Sequence, residues 1–117
     1  MHLRPHEKLI AWQRAYELCL LVYSTTRLFP EDERFGLISQ MRRSAASVPI
    51  NIAEGNAKRS AKDKRKYLNI AQASLEELHC QLRLSLDLQF LKHDVFTKLE
   101  EQVQRTSYLL VKLRASL

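Results

Sequence analysis

Met41-Arg-Arg-Ser-Ala-Ala-Ser-Val-Pro-Ile-Asn-Ile-Ala-Glu-Gly55 carries two seams at once. With Ile38 before it, the stretch places Met41, Ala45, Val48, Ile52 and Gly55 at alternating spacings of three and four, which lines one face of an α-helix. Beside that apolar row runs a second one, Ser44, Ser47, Asn51 and Glu54, built of small or hydrogen-bonding residues at the same spacing. Small residues let helix backbones approach closely, so the second row suits a close helix contact or an assembly surface; plain solvent exposure is the alternative. The pattern predicts a core helix over about residues 33–54. Pro49 lies inside it, where a proline removes one backbone hydrogen bond and clashes with the carbonyl of Ala45, so a kink near Ala45 to Pro49 is expected.

Working outward, three more helices are legible. The first runs over about 6–28, with Ala11, Ala15, Leu18, Val22, Thr25 and Phe29 as its core row. Trp12, Tyr16, Cys19 and Tyr23 form a second row one position on, and the resulting apolar face is wider than a bundle helix needs for its own core. Trp12 and Tyr16 are therefore expected to meet another subunit. Pro30 with the acids after it ends this helix. Gly55 reads as the stop of the second helix, 56–59 as a short loop, and Ser60 with Asp63 as the cap of a third helix over 61–91. Leu68, Ala71, Leu75, Leu78 and Leu82 hold register on that helix, while Leu86 and Phe90 drift off it. Asp94 is placed as the N-cap of a fourth helix carrying Phe96, Leu99, Val103, Thr106, Leu110 and Leu113. Four helices with short connections predict an all-α, antiparallel up-down-up-down bundle occupying 1–117 as one domain.

Composition agrees with that reading. Two glycines and three prolines leave little turn chemistry for a sheet protein, and 45% apolar residues in 117 provide for one core. The longest apolar run, Leu18 to Tyr23, is too short to span a bilayer, so a soluble, cytoplasmic protein is expected. Cys19 and Cys80 stand 61 positions apart, both within helical patterns, and read as reduced, buried packing residues.

The formal charge of +6 is concentrated. Between Arg42 and Lys66, eight basic residues face only Glu54 and Asp63, whereas the remaining residues balance at 11 against 11. Such a segment attracts polyanions at long range and holds them by releasing counterions. Lys58, Arg59, Lys62, Lys64, Arg65 and Lys66 straddle a helix start, where free backbone N–H groups and the positive dipole end add to the side-chain charge. They are the candidate nucleic-acid contacts, with a solvated basic face as the plainer alternative. Tyr67 beside them is either a stacking platform for an unpaired base or a core aromatic.

Other chemistries find less support. Glu76-x-x-His79 has the spacing used by di-iron bundles, but such centres need a second copy and further inward carboxylates, and none is present. No metal site or cofactor is expected. No serine, cysteine or threonine is set beside a base in a glycine-shaped loop, and no nucleotide fingerprint occurs, so the chain reads as a non-enzyme.

Phe35-Gly-Leu37, Gln40 with Arg42-Arg43, Val48-Pro49, Asn51-Ile-Ala-Glu-Gly55, Ser74-Leu75, Glu77-Leu78 and Gln81-Leu82 share order and spacing with a known family. With Trp12 and Phe29-Pro30, the chain resembles, over most of its length, the bacterial four-helix-bundle proteins encoded within intervening sequences of 23S ribosomal RNA genes. It departs at Ile50, where the family often has serine, and at Ala57 and Ala73, where it often has glycine. The resemblance implies a ring-like homopentamer with a non-enzymatic role. A related branch, the accessory variability protein of diversity-generating retroelements, binds nucleic acid and associates with a reverse transcriptase. By the same resemblance, Arg43, Asn51 and Glu54 are as suited to holding helices or subunits together as to touching a ligand. Two functional expectations follow: an oligomeric bundle binding RNA or DNA backbone with little sequence preference, or a protein-interaction scaffold docking a partner such as a nucleic-acid polymerase.

Overall fold

The computed structural model describes residues 2–117, and among them every regular element is helical. A 3₁₀ turn, Pro5–Lys8, leads into α1 (Ile10–Thr26); a second, Glu31–Glu33, leads into α2 (Leu37–Asn56); α3 (Ala61–Asp87) and α4 (His93–Ala115) follow. Neighbours in the chain pack on one another and α4 closes back on α1, while the backbones of the diagonal pairs stay farther apart. This is the expected up-down-up-down bundle. Ala15, Leu18, Val22, Met41, Ala45, Val48, Ile52, Ala71, Leu75, Leu78, Leu82 and Leu99 are almost completely removed from water and join the four helices through one core.

The ends of the elements follow local chemistry that apolar spacing does not report. The helix expected from residue 6 is instead a 3₁₀ turn, in which the Glu7 carboxylate accepts from the Arg4 backbone N–H at 3.0 Å. Extended backbone at Leu9 separates it from α1. At the far end of α1 it is Thr26, not Thr25, that completes the core row. Its hydroxyl satisfies itself by donating to the Val22 carbonyl at 2.8 Å. The helix then tightens into i to i−3 bonds at Leu28 and Phe29 and stops before Pro30. Glu33, expected to begin the second helix, lies outside it. Glu33 reaches forward from the 3₁₀ turn, and its Oε1 accepts from the Leu37 N–H at 3.2 Å, supplying a partner for one of the free donors at the start of α2.

α2 runs through Pro49 without interruption, and Pro49 is buried. Gly55 is not the stop that the sequence suggests. It is helical, no glycine adopts positive φ among the described residues, and α2 continues to Asn56 with Ala57 at the cap. Ser60 does cap α3 as expected, accepting from the Asp63 N–H at 3.1 Å. α3 ends earlier than expected, at Asp87, because Gln89 turns into the left-handed region with φ of 65°. Gln89 N–H bonds Leu86 C=O and Phe90 N–H bonds Ser85 C=O, both at 2.9 Å, the paired pattern of a Schellman stop. Phe90 thereby meets Phe29, with ring centroids 5.6 Å apart. Asp94 is not the cap of α4; Lys92 occupies that position, and Asp94 sits in the first turn, where its charge favours the helix dipole.

Both cysteines are free. Cys19 is half-buried, and burial pushes its thiol above the ordinary range. Cys80 is exposed rather than buried, since a helical step of about 100° per residue turns position 80 away from the side shared by Leu78 and Leu82.

The left-handed Gln89 yields a test of the α3 stop. A non-glycine residue there is strained by its Cβ, so Gln89→Gly is expected to raise unfolding free energy by about 0.5–1 kcal/mol, net of the entropy glycine loses on folding. Urea denaturation with an unchanged slope is the measurement, and a lower midpoint would contradict this account of the turn.

Candidate nucleic-acid interface and the polar seam beneath it

The second row of α2 lies mainly against α3. Ser44 is fully buried and its hydroxyl donates to the Gln40 carbonyl at 2.9 Å. Ser47 and Ser74 hydroxyls meet across the two helices at 2.8 Å, and Asn51 Nδ2 donates to both the carbonyl and the hydroxyl of Ser47 at 2.8 and 3.0 Å. One turn before Ser47, Arg43 donates to Gln40 Oε1 at 3.1 Å and pairs with the Glu77 carboxylate of α3. Glu54, the last member of the row, is exposed. A Cβ built on Gly55 would stand 3.0 Å from Tyr67 Cβ and 3.3 Å from the Lys64 carbonyl. The glycine therefore sets how closely the end of α2 approaches the start of α3. Ser74, Glu77 and Gln81 complete the seam from the α3 side; the sequence offers their spacing but not their partners.

Trp12 and Tyr16 lie on the outer side of α1. Their rings stack at 4.8 Å with planes 14° apart, and His6 of the first 3₁₀ turn meets Trp12 edge-on at 5.3 Å. With Cys19 they face Ala46, Pro49, Ile50 and Ala53 of α2 across a shallow, mainly apolar groove. Tyr16 and Ile50 keep about half their surface in solvent, at 45% and 52%.

The basic segment divides in two. Arg42 is committed to α1: its Nε donates to the Thr26 hydroxyl at 3.0 Å, a terminal nitrogen donates to the Tyr23 carbonyl at 3.3 Å, and the guanidinium lies 4.7 Å over the Tyr23 ring. Arg43 is committed to Glu77. Lys64 is half-buried and donates to the Asn56 carbonyl at 3.1 Å, closing the last turn of α2. Lys58, Arg59, Lys62, Arg65 and Lys66 are exposed and enter no ion pair among the described residues. They cluster about the capped start of α3. Tyr67 is half-buried against Gly55, with the Lys58 and Lys66 ammonium groups 5.1 and 6.0 Å from its ring centre. Those contacts leave Tyr67 placed as a packing residue under the cations rather than as an open platform for a base.

The Glu76-x-x-His79 pair does not converge. His79 Nε2 lies 2.9 Å from Glu100 Oε2 of α4 while Glu76 is exposed. Among the described residues, no three His, Cys, Asp or Glu side chains gather where a metal ion could be held.

The polar seam falls on the residues that carry the resemblance, and the family model for the 23S rRNA-intervening sequence protein matches residues 7–112. The chain belongs to this family. A member of the S23 ribosomal protein family from Bacteroides thetaiotaomicron, of unknown function, has a similar crystal structure, with a TM-score of 0.81 and 20% identity. The match covers 90% of this chain and 98% of that one, and at such identity it establishes the shared helical fold. No curated protein matches the chain. Gln40, Arg43, Asn51, Gly55, Ser74, Glu77 and Gln81, which carry the resemblance, all lie along the α2–α3 contact or beside it.

Gly55→Val is expected to force the two helices apart at that end and to cost about 1–3 kcal/mol by overpacking. Glu54→Ala, one residue away and exposed, is expected to change stability by less than about 0.5 kcal/mol. Equal effects in chemical denaturation would remove Gly55 from its role as the point of closest approach.

Proposed function

We propose that this member of the family is a non-catalytic, oligomeric bundle that binds the phosphate backbone of RNA or DNA with little sequence preference. One observation carries the nucleic-acid part: Lys58, Arg59, Lys62, Arg65 and Lys66 are exposed together at a helix start with no ion pair among the described residues. Unpaired cations facing water keep their charge available for counterion release from a polyanion. Tyr67, the aromatic ring beside them, is half-buried under Lys58 and Lys66, so the reading is of backbone contact rather than base readout. The oligomeric part rests on Trp12, Tyr16 and Ile50, a mainly apolar surface on one side of the bundle that self-association would cover, and on the homopentamer implied by the resemblance. The same surface favours one alternative: an accessory subunit that docks a nucleic-acid enzyme and has no direct nucleic-acid role.

A labelled structured RNA titrated across a salt series separates these readings. Affinity is expected to fall steeply between about 50 and 200 mM salt, with a slope set by the number of phosphates neutralised. Charge reversal at Lys62, Arg65 and Lys66 is expected to abolish it. Salt-independent binding, or binding that survives the reversal, would sink the proposal. Light scattering is expected to give a closed oligomer that Trp12→Glu and Ile50→Glu dissociate; a wild-type monomer would refute the assembly.

A further inference from the structure

The up-down-up-down topology brings the segment before α1, the α2–α3 connection and the end of α4 to one end of the bundle. Leu9, Gly55, Asn56, Lys64, Leu113 and Leu117 line a single small cavity there, and Lys112 lies beside Leu9 and Ile10. Arg114 reaches across to donate to Asn69 of α3 at 2.8 Å. Within residues 2–9, 54–67 and 112–117 the chain places ten basic side chains against three acidic ones, and everywhere else nine against ten. The charge surplus is thus a property of one end of the fold, not of one stretch of sequence.

Pairing is as uneven as charge. Among the described residues Arg14, Arg34, Arg43 and Arg83 sit in ion pairs, all of them outside this end, whereas none of its ten cations does. Arg4, Lys8 and Lys112 are exposed like the cations of the α3 start. Resting on the nucleic-acid reading above, we infer that the polyanion-binding surface is the whole basic end of the bundle, with Lys8 and Lys112 as further phosphate contacts beside Lys58, Arg59, Lys62, Arg65 and Lys66. Arg42 and Arg43, though inside the basic stretch of sequence, are not part of it. They are held by Thr26, Tyr23 and Glu77.

The test compares two double variants of equal net charge, Lys8→Gln with Lys112→Gln and Lys92→Gln with Lys98→Gln, in a salt series against the same structured RNA. All four lysines are exposed, so none of these changes removes a buried contact. The first pair is expected to lower the salt slope by about 1–2 and weaken binding about three- to tenfold at low salt. The second, at the opposite end, is expected to leave the slope unchanged. If the first pair binds like wild type while Lys62→Gln with Arg65→Gln weakens binding, the surface is confined to the α3 start and the inference falls. If both lysine pairs weaken binding equally, only net charge matters and it falls again. Wild-type protein with no salt-dependent affinity would instead overturn the nucleic-acid reading itself.

Discussion

The close approach of α2 to α3 is the constraint on which the rest of this bundle depends. A Cβ at Gly55 would stand 3.0 Å from that of Tyr67, and the Ser47–Ser74 contact at 2.8 Å lies about two turns away on the same side. Backbones held this near can be joined only by small side chains, and each polar group enclosed between them needs a partner. Ser44 and Asn51 answer that need locally, by donating to a carbonyl or hydroxyl one turn back on their own helix, and the Ser47 hydroxyl meets that of Ser74 across the contact. The α2–α3 pair then presents Met41, Ala45, Val48 and Ile52 on one side and Ala71, Leu75, Leu78 and Leu82 on the other as one apolar floor for α1 and α4.

That arrangement changes the meaning of the family signature. Residues that suggest a ligand site when read in sequence, such as Arg43 and Asn51, are occupied by neighbours within the same chain. The exposed cations that enter no ion pair among the described residues are elsewhere, on a loop and on helix ends where substitutions disturb the core least. The packed seam and the charged end are therefore physically separate parts of the bundle.

Much of the fold was legible from apolar spacing. Every member of the α2 row, and the Leu68 to Leu82 row of α3, is buried. The errors lie at helix ends, Thr25 for Thr26, Asp94 for Lys92, Gly55 for Ala57 and Leu91 for Asp87, and at Cys80, which is exposed where a buried residue was expected. Each end is decided by a hydrogen bond or a backbone angle, as with Glu33 bonding the Leu37 N–H or Gln89 at φ of 65°, and the residue type alone does not announce it. The candidate site was legible only in part. The run from Lys58 to Lys66 is visible as charge, but the ties of Arg42, Arg43 and Lys64 depend on partners between 8 and 34 residues away.

By itself the sequence determined the number of helices, their core faces and the excess of positive charge, because period and composition are local properties that survive any arrangement of the elements. The tertiary structure decided which charges remain available. It ties Arg42 and Arg43 to neighbouring helices, and through the alternating direction of the helices it sets Lys8 and Lys112 at the same end of the bundle as the start of α3. Charge adds up by distance in space, and the chain order that separates these residues has no bearing on the field they produce together.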